Sequence, residues 1–128
     1  MTTKKVMLVE DDKDTIRAMG VRLRSAGYNL IVASDAISAI SMARKDRPDL
    51  IVLDLGLPGG DGFTVMQRLK SNYELMLVPI IVVSARDPLI NEERALQEGA
   101  EAFLQKPVEN AEFLASIERA LSKSAHSV

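Results

Sequence analysis

Leu50-Ile51-Val52-Leu53 is a run of four apolar residues that stops at Asp54. A short unbroken apolar run, without polar alternation, marks a strand buried on both faces, as in a parallel sheet covered by helices. Val6-Met7-Leu8-Val9, ending at Glu10-Asp11-Asp12, repeats the pattern upstream. Pro79-Ile80-Ile81-Val82-Val83, ending at Ser84, repeats it downstream, with proline at the first strand residue, where it is tolerated. Leu30-Ile31-Val32 and Ala102-Phe103-Leu104-Gln105 read as two shorter strands. Between them the spacing turns helical: Ile16, Met19, Leu23 and Ala26; then Ala36, Ile40 and Ala43; then Phe63, Met66 and Leu69. Ile90 to Glu98 is a weaker stripe, and Phe113, Leu114, Ile117, Ala120 and Leu121 form the last. Asp12 and Asp61 stand where helix N-caps belong, and Gly27 and Gly99 where a helix end requires positive φ. Pro48 requires the second helix to end before it.

Five strands alternating with five helices predict an α/β fold, doubly wound around a five-stranded parallel sheet. Of the two common strand orders, five strands suit 2-1-3-4-5, the flavodoxin-like arrangement. A chain of 128 residues is one domain on length. Its formal charge of −2 gives no global pull toward nucleic acid or an anionic membrane. No segment approaches 18 continuous apolar residues, so no membrane span is expected, and a cytoplasmic location is. There is no cysteine, and the one histidine, His126, lies in a polar tail, with disorder expected over residues 124–128. Thiolate chemistry, a Ser-His-Asp triad and a His-ligated metal are thereby disfavoured.

In an open parallel sheet, ligands bind beyond the carboxyl ends of the strands, at the point where the strand order reverses. Here that point lies between the first and third strands, which deliver Glu10, Asp11, Asp12 and Asp54. The fourth strand delivers Ser84-Ala85 to the same edge, and the fifth Lys106-Pro107. Crowded carboxylates repel unless a proton or a cation intervenes. A donor set of oxygens alone selects a hard cation, and Mg²⁺ suits it best. A cation beside a lysine makes a place for a phosphoryl group, and a carboxylate can serve as its nucleophile. Asp54 is the candidate, ending the central strand and followed by the turn-rich Leu55-Gly56-Leu57-Pro58-Gly59-Gly60. Asp12 is as readily a helix cap and nothing more, and Ser84 or Lys106 alone would be unremarkable.

Taken together, Leu8-Val9-Glu10-Asp11-Asp12, the stretch from Asp49 through Asp54 to Gly62, Val82-Val83-Ser84-Ala85 and Lys106-Pro107 resemble the bacterial response-regulator receiver domain. The resemblance runs from Lys5 to about Lys123 and implies a receiver domain over residues 1–123. It implies that Asp54 accepts a phosphoryl group from a sensor histidine kinase, a histidine-phosphotransfer protein or a small phosphodonor. It implies that Glu10 and Asp11 form an acidic pair, Asp11 binding Mg²⁺ directly and Glu10 through water, and that Gly56 offers its carbonyl to the metal. Lys106 would bind phosphoryl oxygens, preceding Pro107 through a cis peptide, and the N–H of Ala85 would help cradle them. Ser84 would be the switch hydroxyl and Phe103 the switch aromatic. Signalling would pass through helix 4, strand 5 and helix 5 to an effector or an output domain, with homodimerisation through that face a further expectation. Neither nucleic acid nor membrane would be contacted directly.

Three positions depart from the usual pattern. Gly56 lacks the larger side chain many members carry, Arg86 is long and charged two residues after Ser84, and Val108 replaces a common aromatic. A Mg²⁺-dependent phosphatase or hydrolase of similar topology is the main alternative. It would need a second carboxylate where Gly56 stands, or a covering domain. A flavin module would have to seat its cofactor phosphate beside Glu10-Asp11-Asp12, which repel it.

Overall fold

The computed structural model describes residues 3–57 and 61–125, the side chains of Ser124 and Ala125 excepted. Ten elements alternate without exception: β1 (Lys5–Val9), α1 (Lys13–Ser25), β2 (Asn29–Ala33), α2 (Ala36–Asp46), β3 (Leu50–Asp54), α3 (Gly62–Ser71), β4 (Ile80–Ser84), α4 (Pro88–Gln97), β5 (Ala102–Gln105) and α5 (Asn110–Ala125). The sheet is parallel throughout and runs β2-β1-β3-β4-β5, the expected order. No helix among the described residues is long and apolar enough to cross a membrane.

The unbroken apolar runs follow from a sheet with two dry faces. Successive strand residues point to opposite sides. Val6, Leu8, Leu50, Val52, Ile81 and Val83 pack with Met19 and Leu23 of α1 and with Phe113 and Ile117 of α5. Met7, Val9, Ile51, Leu53, Ile80 and Val82 pack against α2, α3 and α4, where Ala39, Ala43, Phe63, Met66, Leu69 and Ala95 meet them. β3 lies between β1 and β4 and is buried over its whole length.

The helix punctuation works as read from the sequence. Asp12 caps α1 by accepting from the Thr15 N–H, and Asp61 caps α3 by accepting from the Phe63 N–H. Gly27 and Gly99 adopt φ of 92° and 109°. α2 stops at Asp46, and Arg47, next to Pro48, takes the left-handed conformation with φ 49°.

Some boundaries differ. β2 gains one residue at each end. β4 begins at Ile80 rather than Pro79, whose carbonyl nevertheless accepts from the Ile51 N–H at 3.0 Å. α4 starts at Pro88, two residues before the apolar stripe, because Asp87 caps it and proline occupies its first turn. α5 remains helical to Ala125, so the helix enters the stretch expected to be tail. His126 to Val128, and Pro58 to Gly60 of the expected turn, lie outside the described residues.

Candidate functional site

The carboxyl ends of β1, β3, β4 and β5 meet at one edge and bring Glu10, Asp11, Asp54, Ser84 and Lys106 together. Glu10 follows β1 directly and is 2% exposed. One of its oxygens, Oε2, accepts from the N–H groups of Asp11 and Asp12 at 3.1 and 3.2 Å. The other, Oε1, takes the Lys106 ammonium at 2.5 Å. Lys106 also stands 3.6 Å from Asp54 Oδ1. Asp54 is nearly buried, while Asp11 is exposed. One carboxylate oxygen from each of Glu10, Asp11 and Asp54 lies within 4.8 Å of the others.

Three carboxylates share one ammonium, and the electrostatics reflect that imbalance. Burial pushes the Glu10 carboxyl above its ordinary value, despite the hydrogen bonds from Lys106 and the Asp12 backbone, and the charge of Asp54 adds to the rise. Burial works against the Lys106 ammonium, but its bond to Glu10 and the charge of Asp54 outweigh it and raise its pKa. Both groups therefore hold their protons more tightly. For Glu10 the cause is chiefly burial, and for Lys106 the carboxylates around it. The donors are all oxygen, the cluster is net negative, and it opens to solvent at Asp11. Those properties fit a hard divalent cation such as Mg²⁺.

Ser84 ends β4 and is 1% exposed, its hydroxyl accepting from the Arg86 N–H at 3.0 Å. Its carbonyl accepts from the Lys106 N–H at 2.9 Å, which ties the ends of β4 and β5 together. The Lys106–Pro107 peptide is cis. Ala85 and Gly56 are exposed beside the cluster. A Cβ added to Gly56 would sit 3.9 Å from Asp54 Oδ2, so this glycine leaves open the space over the carboxylate. Phe103 pairs with Val82 across the β4–β5 ladder and is half-buried against the α2–α4 side of the core.

Asp12 stands apart from the cluster and acts as a cap, its carboxylate taking both the N–H and the hydroxyl of Thr15. Two features are absent from the sequence reading. Lys106 engages Glu10 more closely than Asp54, across 96 residues. The Arg86 side chain reaches the Leu55 carbonyl at 3.2 Å and the Asp61 carboxylate at 3.7 Å. Its length and charge were the available signal for the second.

Known proteins match this architecture. Residues 6–118 fit the family model of the response regulator receiver domain. The polar-differentiation response regulator DivK of Brucella ovis is 36% identical over 115 residues, which make up 90% of this chain and 94% of DivK. The response regulator PleD of Caulobacter vibrioides is 32% identical over 113 residues, which span 88% of this chain but only 25% of PleD. The chain thus corresponds to about a quarter of PleD and to nearly all of DivK. Among solved structures, the receiver domain of the sensor histidine kinase PA1611 from Pseudomonas aeruginosa superposes with a TM-score of 0.87 at 30% identity, covering 94% of this chain and 99% of that one. It was solved with a magnesium ion in its active-site cleft. A CheY-like receiver protein from Methanospirillum hungatei shares the fold at a TM-score of 0.92 and 22% identity, covering 99% of this chain and all of that one. Sheet order, strand-end acids and family match converge, and the chain belongs to the response regulator receiver family, whose domains are signalling modules rather than classical enzymes.

Proposed function

We propose that this domain is a phosphorylation-activated switch whose phosphoryl acceptor is Asp54. One observation carries the reading: Asp54 closes a fully buried strand, with Lys106 at 3.6 Å and two further carboxylates gathered around it. A carboxylate held there can attack the phosphorus of a partner's phosphohistidine. An Asp54 Oδ–P bond forms, and the P–N bond breaks with its electron pair returning to the imidazole. The donor would be a sensor histidine kinase or a histidine-phosphotransfer protein.

Asp11 and Asp54 would hold Mg²⁺ through side-chain oxygens and Gly56 through its carbonyl. Glu10 would act through water, since both its oxygens already have partners. Bound there, the cation would offset the charge spread over the phosphoryl oxygens. Lys106 needs only a small movement from Glu10 to reach a group on Asp54, and it supplies the second positive charge. The Ala85 N–H is positioned by the same β4 end.

A phosphoryl group adds about −1.5 to −2 of charge, which a neighbouring hydroxyl donor answers with a strong bond. Ser84 would turn its hydroxyl toward that charge, and Phe103, half-buried one strand away, would take up the space released. The change would be read at α4, β5 and α5, where Leu89 and Ile90 are 91% and 72% exposed and offer apolar surface to a partner. Homodimerisation through this face and a cytoplasmic setting belong to the same reading.

Intact mass spectrometry after incubation with acetyl phosphate and Mg²⁺ tests the assignment. Wild type should gain one phosphoryl group and Asp54→Asn none. Equal labelling of the two would remove Asp54 from its role.

A further inference from the structure

Arg86 joins two segments that the chain keeps far apart. Its guanidinium Nη2 donates to the Leu55 carbonyl at 3.2 Å, and Nη1 lies 3.7 Å from Asp61 Oδ2. Leu55 is the residue directly after Asp54. Its carbonyl also accepts from the Gly62 N–H at 2.9 Å, which fixes the start of α3 against the end of β3. Asp61 is the α3 N-cap, and its other oxygen holds the Phe63 N–H at 2.8 Å. Arg86 therefore anchors on the backbone beside Asp54 and on the cap of the next helix.

The opposite end of the same residue is tied to Ser84. The Arg86 N–H donates to the Ser84 hydroxyl at 3.0 Å, and this is that hydroxyl's one hydrogen-bond partner among the described residues. A hydroxyl that turns toward a group on Asp54 withdraws its oxygen from this N–H. The Ala85-Arg86 backbone is then free to shift, except that the guanidinium is fastened to Leu55 and Asp61. Movement of Ser84 and retention of the strap are thus opposed: one residue carries both bonds, and keeping the second resists loss of the first.

We propose that Arg86 is a positioning residue, a strap that stabilises the resting arrangement of Ser84 and raises the cost of switching. The inference rests on the reading of Asp54 and Ser84 given above. Its direction is opposite to that of a residue that grips the phosphoryl group. Removing the strap should make the switched state easier to reach, so a phosphoryl mimic should bind more tightly. The Arg86 side chain is 39% exposed and that of Asp61 45%, so solvent screens the pair. The expected gain is about three- to tenfold in apparent affinity.

The experiment titrates beryllofluoride with Mg²⁺ into wild type, Arg86→Ala, Arg86→Lys and Asp61→Asn, following backbone amide resonances. Asparagine still caps a helix, so Asp61→Asn removes the carboxylate charge and keeps α3 in place. Arg86→Ala should saturate at about three- to tenfold lower beryllofluoride, with Asp61→Asn and Arg86→Lys shifted the same way by less. Unchanged or weaker binding by Arg86→Ala overturns the strap. Amide exchange of Gly62 in the metal-free variants is the second readout. Exchange faster in Arg86→Ala than in wild type supports the anchor on Leu55, and equal exchange overturns it. If wild type itself fails to bind beryllofluoride, the reading of Asp54 fails, and the Gly62 exchange still decides whether Arg86 holds the two segments.

Discussion

Replacing Gly62 by alanine should destabilise the domain and damage the site together. Gly62 opens α3 where the helix start presses on the end of β3. A Cβ built on it would lie 2.5 Å from Leu55 Cα, 2.7 Å from the Asp54 carbonyl oxygen and 3.0 Å from that of Leu55. Carbon atoms pack at about 3.5–4.0 Å, so the first contact falls short by roughly 1 Å. All three obstacles are backbone, and no side chain can swing aside. Either α3 moves out or the end of β3 bends, and overpacking of this kind costs about 1–3 kcal/mol or more. The intrinsic preference of a helix for alanine over glycine returns about 0.5–1 kcal/mol. A net loss of about 1–2 kcal/mol remains, which should lower the thermal midpoint by roughly 4–8 °C for a domain of this size.

Two other glycines serve as internal controls. A Cβ at Gly20 would meet only side-chain ends, Leu30 Cδ2 at 3.1 Å and Arg24 Nη1 at 3.9 Å, and one at Gly56 only Asp54 Oδ2 at 3.9 Å. Urea unfolding of the three alanine variants should give a large drop in midpoint for Gly62→Ala, with unchanged slope, and small changes for the other two. Because the obstacles include the backbone of Asp54 itself, Gly62→Ala should also weaken Mg²⁺ binding measured on the folded protein at low temperature. A Gly62→Ala variant as stable as wild type would falsify the packing argument.

Two further outcomes are expected. Mg²⁺ should raise the thermal midpoint of wild type in proportion to the logarithm of its concentration above saturation, by linkage. Asp11→Asn and Asp54→Asn should blunt that rise, and a full response from both would exclude the cluster as the cation site. The second outcome concerns pH. Asp35 caps α2, and the hydrogen bonds from the Ser38 backbone and side chain lower its pKa below the ordinary 3.8. A depressed folded pKa contributes stability that is present above the unfolded value and lost as pH falls through the folded one. The advantage of wild type over Asp35→Ala should thus be constant above about pH 4 and shrink below it. Asp35→Asn, which still caps but cannot titrate, should stay level through the same range.

The sheet was legible because both its faces are covered. Leu50 to Leu53 could not alternate polar and apolar residues without burying a polar group, so the run announces its surroundings. The same logic located the candidate site, since the residue after each buried run must stand at the carboxyl edge. That placed Glu10, Asp54, Ser84 and Lys106 side by side before any distance was known. α4 was legible only in part. Its stripe was read from Ile90, which like Leu89 faces solvent, while the Asp87-Pro88 cap signal marks the true start. The pairing of Lys106 with Glu10 rather than Asp54 depends on side-chain reach and burial at one point in space. Local spacing carries no trace of that preference. The grip of Arg86 on Leu55 and Asp61 is hidden for the same reason.

The contact between Lys106 and Glu10 spans 96 residues and joins the first strand to the last. Asp54 and Ser84 enter from the two strands between them. No fragment that lacks β1, β3, β4 or β5 can present this group together. A cation or a phosphodonor that recognises the cluster therefore binds the native state and not the unfolded one. Occupancy of the site would report that β1, β3, β4 and β5 have come together, and binding there would stabilise the fold. On the proposed reading, a molecule whose β1, β3, β4 and β5 had misassembled would be silent toward a phosphodonor, so such errors would be filtered out before they became false signals.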